Sequence, residues 1–207
     1  MNRFPQTLAL LAAAAAGLLV SGCASTGVEA QWRSVELPAN YLRGATVLVS
    51  CETGELVLRR ICEDRIAAEL GARGVPRVVL AGGGGAVAVS PGVADMQYLP
   101  AARNNGAKAV LGLTIGLASQ SVSPGVMVGI GGFGFGRHSG GSVGVSAPIG
   151  GGQVSSGYAM SGRITDVASG RLMWSARASA PPSTDVNAQI ADLSRSLLDA
   201  AGGAGVF

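Results

Sequence analysis

Apolar and polar positions alternate with different periods along this chain, and the changes of period mark its elements. Ala45 to Ser50 (ATVLVS) is a short, nearly continuous apolar run, the mark of a strand covered on both faces. From about Thr53 to Arg73, Leu58, Ile61, Cys62, Ile66 and Leu70 recur at steps of three and four. Arg59, Arg60, Glu63, Asp64 and Glu69 fall elsewhere, so this segment predicts an amphipathic helix, closed by Gly74 and Pro76. Val78 to Leu80 predicts a second strand. Asp95 to Asn105 predicts a second helix with Met96, Leu99 and Ala102 on one face, weakened by Pro100 and stopped by Gly106.

Ala109 to Leu117 (AVLGLTIGL) predicts a long apolar strand. Between Gly116 and Gly162 there are 15 glycines in 47 residues. Within that stretch Val126, Val128 and Ile130 alternate with their neighbours, and Phe133 and Phe135 continue the run after a shift at Gly131-Gly132, which predicts a bulged hairpin. Tyr158 to Val167 and Arg171 to Ala180 predict two strands around the turn Ala168-Ser169-Gly170, with Trp174 on the second. After Pro181-Pro182, Ser183 or Thr184 is the expected cap of a last helix facing the core through Ile190, Leu193 and Leu197. The expected fold is α/β or α+β: a mixed β-sheet with about three helices packed on it and an inserted glycine-rich β-hairpin.

The N-terminus is of a different kind. Arg3 is followed by an apolar run from about Leu8 to Val20 and then by small residues, the order of parts in a secretory leader. The run is shorter than the roughly 20 residues a membrane-spanning helix needs, and the chain turns polar at Ser25, Thr26, Glu29 and Gln31. Val20-Ser21-Gly22-Cys23 resembles the lipobox of bacterial lipoproteins. The resemblance implies diacylglyceryl transfer to the Cys23 sulfur, cleavage before Cys23 and acylation of the new amine. Ala24 in place of Asp implies export to the outer membrane, leaving the protein on its periplasmic face. The expected division is a signal peptide at 1–22, a lipidated N-terminus and polar tether at 23–43, and one periplasmic domain at 44–202 with a hairpin insertion at 121–157.

Three cysteines become two once Cys23 is lipidated. In an oxidising periplasm an even count favours a Cys51–Cys62 disulfide, the other reading being two buried thiols. Were the helix to begin near Thr53, Cys62 would lie more than two turns along it. A start near Leu58 brings the two within reach.

Charge and chemistry narrow the function. The net charge of +3 falls to +2 without Arg3, and Arg33, Arg43, Arg73, Arg103, Arg163 and Arg195 are spread along the chain with no aromatic platform. No nucleic-acid partner is expected. Gly129 to Gly134 matches GxGxxG but lacks the helix that pyrophosphate binding needs. Gly140-Gly141-Ser142-Val143-Gly144 matches GxSxG, yet the only histidine, His138, precedes the serine, and a nucleophile elbow needs a strand before and a helix after. One histidine and two cysteines eleven apart do not make a zinc or calcium site. No catalytic, metal or cofactor-binding residue is expected, and the chain reads as non-catalytic.

Three segments carry a wider resemblance: the leader through Cys23, Ala107 to Leu113 (AKAVLGL), and Gly162 to Trp174 (GRITDVASGRLMW). In the last, a strand ends in Asp166, turns through Gly170 and returns to Trp174. Together they resemble small bacterial outer-membrane lipoproteins of uncharacterised families, and the layout is similar to curli-secretion-type lipoproteins and to lipoprotein activators of peptidoglycan synthases. The resemblance implies a structural or partner-binding envelope component, held to the membrane by its lipid anchor and meeting an envelope protein or further copies of itself. Curli-secretion-type lipoproteins build a membrane barrel from such hairpins, which implies a homo-oligomeric alternative. Val126 to Phe135 meets the roughly 9 to 11 residues of a spanning strand, whereas Pro148 and Gly150 to Gly152 interrupt the return strand.

Overall fold

The computed structural model describes residues 25–81, 94–123, 127–129, 146–148 and 153–207. Eight strands and three helices follow in the order β1 (Gly27–Arg33), β2 (Thr46–Glu52), α1 (Leu56–Ala72), β3 (Arg77–Leu80), α2 (Ala94–Asn104), β4 (Ala109–Ser123), β5 (Met127–Gly129), β6 (Ser146–Pro148), β7 (Gln153–Asp166), β8 (Leu172–Ser179) and α3 (Val186–Gly203). Six strands form one mixed sheet, β1-β8-β7-β4-β2-β3, and β5 pairs with β6 separately. β2 runs parallel to β3 and β4, whereas the β4-β7-β8-β1 half is antiparallel. The mixed α+β class is the expected one.

Helices α1 and α3 cover one face of the sheet. Alternate residues of the central strands, Val47, Val49 and Cys51 on β2 and Ala109, Leu111, Leu113 and Ile115 on β4, meet Ile66 and Leu70 of α1 and Ile190, Leu193 and Leu197 of α3. Trp174 of β8 is 0% exposed at this core. Arg73, at the C-terminal cap of α1, ties the two helices together through ion pairs with Glu69 and, at 2.5 Å, with Asp199. Glu63, expected on the solvated side of α1, is buried and paired with Arg60 at 3.0 Å. Among the described residues the second face carries α2, whose Leu99 and Ala102 pack on Leu48, Val110 and Val167. Met96 does not join them and is exposed. Pro100 sits in the interior of α2, where it removes one helical hydrogen bond without ending the helix.

From Gly27 to Arg43 the expected tether is part of the fold. Gly27–Arg33 is an edge strand paired with β8, and Leu37, Tyr41 and Leu42 are buried in the main core. Asn40 and Leu42 donate to the carbonyls of Gly205 and Val206, so this segment is clamped by the C-terminus. The domain therefore begins near Gly27, not at residue 44. The physical reason is that β1 is exposed along its whole length, so its sequence has no apolar alternation to announce it. The cap of α3 also differs from expectation. Asp185, not Ser183 or Thr184, accepts the Ala188 amide at 2.9 Å.

Asp166 organises the turn between β7 and β8. Its carboxylate accepts from the Ser169 amide and hydroxyl, each at 2.7 Å, and from the Tyr41 hydroxyl at 2.6 Å. Gly170 closes the turn at φ +70, a conformation that costs glycine little. Lys108 Nζ donates to the Tyr41 carbonyl at 2.7 Å and lies 4.5 Å from the centre of its ring. The Asp-Gly-Trp pattern thus encodes a carboxylate-locked turn followed by the largest core side chain.

Cys51 and Cys62 are joined in a disulfide with Cα atoms 6.2 Å apart. Helix α1 starts at Leu56, late enough for the chain after Cys51 to turn back over the first helical turns. The bond closes a short loop between β2 and α1, and such loops contribute about 2–3 kcal/mol by restricting the unfolded chain. Cys51→Ser with Cys62→Ser is expected to lower stability by that order. Urea unfolding of the oxidised parent and the double variant measures it, and coincident midpoints would contradict it.

Candidate functional site

The second face of the sheet holds the most unusual group of polar side chains. In antiparallel and parallel ladders, paired residues share a face, so the register aligns a row across five strands: Trp32, Ser175, Arg163, Gly112 and Ser50. The next row contains Ala30, Arg177, Ser161, Thr114 and Glu52. Helix α2 covers the Ser50 end of these rows with Asp95 and Tyr98, and Trp32 remains 50% exposed at the other.

Asp95 is the pivot. It is 8% exposed and accepts from Arg163 Nη2 at 3.0 Å and from Thr165 Oγ1 at 2.8 Å. Its carboxylate lies over Gly112, where an added Cβ would fall 2.5 Å from Oδ1. Glycine inside an apolar strand is weakening unless something approaches closely, and here the approaching group is Asp95. Ser50, 2% exposed, has a hydroxyl without a hydrogen bond among the described residues, as do Glu52 Oε1 and Arg59 Nε. Thr114 Oγ1 reaches Glu52 Oε2 only at 3.5 Å.

These groups act on one another's protonation. Burial pushes the Glu52 carboxyl above its ordinary range, Arg163 opposes this, and the Asp95 charge adds to it. Tyr98 is raised first by burial and then by the Glu52 charge, with Arg59 opposing. A carboxyl raised in the folded state disfavours folding once the pH exceeds its unfolded value, because the folded protein then holds a charge it solvates poorly. Glu52→Gln is therefore expected to raise the melting temperature at neutral pH, with the gain vanishing in acid, where both states of the parent are protonated. Thermal unfolding across that range checks it, and a variant less stable than its parent at neutral pH would contradict it.

The sequence-predicted positions fall elsewhere. Cys51 and Cys62 lie on the opposite face within the main core. Cys23, four residues before β1, is outside the described residues, as are Ser142, His138 and all of the Gly129 to Gly134 motif except Gly129, which ends β5. Among the described residues no group of three His, Cys, Asp or Glu side chains could hold a metal ion, and no helix is long and apolar enough to cross a membrane. Sequence reasoning missed the Asp95 cluster. Its one signal was Gly112, a glycine centred in an apolar strand.

No protein family matches the chain, and no curated protein does. Among solved structures, the PelC dodecamer from Paraburkholderia phytofirmans is 18% identical, over 83% of this chain and 96% of that one, with a TM-score of 0.46. A variant of that dodecamer from the same organism is 17% identical over 84% and 96%, with a TM-score of 0.48. Lipoprotein GNA1162 from Neisseria meningitidis is 14% identical over 77% of this chain and 99% of that one, with a TM-score of 0.38. The neighbours thus include a bacterial lipoprotein. Likenesses at this level carry none of the functional reading, which rests on the chain's own residues.

Proposed function

We propose that the chain is an outer-membrane lipoprotein, anchored through Cys23 on the periplasmic side, that works without catalysis as a structural or partner-binding component of the envelope. The observation that carries this reading is the lipobox-like Val20-Ser21-Gly22-Cys23 placed four residues before an edge strand of the folded domain. The Cys51–Cys62 disulfide suits the oxidising compartment such a protein enters. The outer edge of β1 is a poor template for a partner strand, since its register with β8 shifts between Val28 and Ala30 and Glu29 pairs with Arg177 at 3.1 Å, both devices that blunt sheet edges. The second face is better suited. Away from α2 it offers Trp32, 50% exposed, with Arg177 in the next row, residue types that dominate binding energy at interfaces.

A second reading, a homo-oligomeric secretion or pore-type lipoprotein using the glycine-rich hairpin, is favoured by one observation. Met127 pairs with Pro148 and Gly129 with Ser146, so Pro148 falls at one end of this small ladder and not across its middle. That removes part of the objection raised by the interrupted return strand.

Chemical cross-linking of the full protein in outer membranes, extraction in mild detergent and native mass measurement separate the two. A complex with another protein that Trp32→Ala weakens is the expected result. A ring of identical chains would overturn the first reading in favour of the second.

A further inference from the structure

Between β2 and β4 the order of the parallel strands reverses. The chain leaves β2 through α1 on one face to reach β3, then returns through α2 on the other face to β4, which lies on the far side of β2. In sheets wound this way, ligands bind in the crevice outside the carboxyl ends of the two strands where the order reverses. Glu52 ends β2 at that point, opposite Thr114 of β4.

The polar atoms gathered there are unused. Ser50 Oγ, Glu52 Oε1 and Arg59 Nε are all buried without a hydrogen bond among the described residues. Buried polar atoms are nearly always paired, so three orphans at one end of one strand call for a partner. Beyond the effect of burial, the Tyr98 phenol is raised by the Glu52 charge and lowered by that of Arg59. Acid and base thus lie about one phenol, yet among the described residues neither enters an ion pair. Arg163, which opposes the effect of burial on Glu52, is already bound to Asp95 at 3.0 Å. Arg59 Nη2 reaches the Thr53 carbonyl at 3.5 Å, the limit of a hydrogen bond.

The three atoms select a ligand. Glu52 Oε1 accepts a hydrogen bond, Arg59 Nε donates one, and the Ser50 hydroxyl does either. A metal ion would face the arginine, and among the described residues no three His, Cys, Asp or Glu gather to hold one. Phosphate would add negative charge beside Glu52 and Asp95, and a neutral ligand would leave both buried charges uncompensated. A zwitterion answers both, with an ammonium for Glu52 and a carboxylate for Arg59. Leu56 and Val57 in the first turn of α1 and Met96 in that of α2 remain exposed at the same end of the sheet. Apolar walls around a few polar groups are the usual make-up of a small-ligand site.

We infer that the carboxyl end of β2, between the first turns of α1 and α2, binds an α-amino acid with an apolar side chain. Glu52 and Ser50 accept its ammonium, Arg59 donates to its carboxylate, and its side chain meets Leu56, Val57 and Met96. The three polar atoms are closed to solvent, so the ligand enters by displacing Tyr98. The site is independent of the Cys23 anchor.

Isothermal titration calorimetry of the full protein in mild detergent, with leucine, leucinamide and N-acetylleucine, tests this. Leucine should bind. Leucinamide, which lacks the carboxylate, and N-acetylleucine, which lacks the ammonium, should each bind about tenfold more weakly or worse, the scale of a lost charge-assisted hydrogen bond. Glu52→Gln should weaken leucine by a similar factor. That variant is expected to melt higher than its parent at neutral pH, so its lost binding is not a lost fold. Val35→Ser, at a fully exposed position after β1, should leave leucine binding unchanged. Leucine that fails to bind at millimolar concentration, equal binding of the three compounds, or binding untouched by Glu52→Gln would each overturn the inference.

Discussion

Cys23→Ser is expected to transfer the protein from the membrane fraction to the soluble periplasmic fraction. Each buried CH₂ of an acyl chain contributes about 0.8 kcal/mol, and it takes more than one chain to make the attachment stable. No described helix can replace those chains as an anchor. Immunoblots of fractionated cells, read beside a signal-peptide processing assay, measure the shift. Retention of the serine variant in the membrane would mean that the glycine-rich hairpin anchors by itself, which favours the homo-oligomeric reading.

The second large effect is expected at Trp174. Its ring is fully buried between the sheet and the helices, with Cζ3 3.5 Å from the position of a Cβ on Gly162. Trp174→Ala would remove the largest side chain of the core and leave a cavity, at a cost of about 3–5 kcal/mol. That is a large share of the roughly 5–15 kcal/mol that holds a domain together. Trp174→Phe should cost much less. The indole Nε1 has no hydrogen-bond partner among the described residues, so phenylalanine removes a buried donor that gains nothing. Denaturant unfolding of both variants checks the order, and an alanine variant as stable as the phenylalanine one would contradict it.

Much of this fold could be read from periodicity because its elements bury one face. Leu58, Cys62, Ile66 and Leu70 on α1, and Ile190, Leu193 and Leu197 on α3, sit where helical spacing put them. The central strands were legible as apolar runs, although β4 and β7 extend well past their apolar parts into paired ends where serine and glutamine dominate. β1 was illegible for the opposite reason. It is held by backbone pairing to β8, and GVEAQWR exposes every side chain. The cap of α3 was misplaced because Ser183, Thr184 and Asp185 are all good capping residues, and only the backbone path selects among them.

The polar site on the second face was the least legible. Asp95 in the first turn of α2 has the look of an ordinary dipole-favoured residue, and Arg163 and Thr165 look like solvent-side strand positions. Only the register of β2, β4 and β7 brings them together beneath α2. The disulfide was legible from cysteine arithmetic, and its geometry depended on a helix start that sequence left open between Thr53 and Leu58.

The proposed envelope role depends on Cys23 being the membrane anchor and the first residue of the mature protein. Mass spectrometry of the N-terminal peptide, taken from protein purified out of outer membranes, tests it most directly. A peptide that begins at Cys23 and carries a diacylglyceryl group and an amide-linked acyl chain is the expected result. A peptide with the leader intact, or one beginning at an unmodified Cys23 or at Ala24, would contradict it.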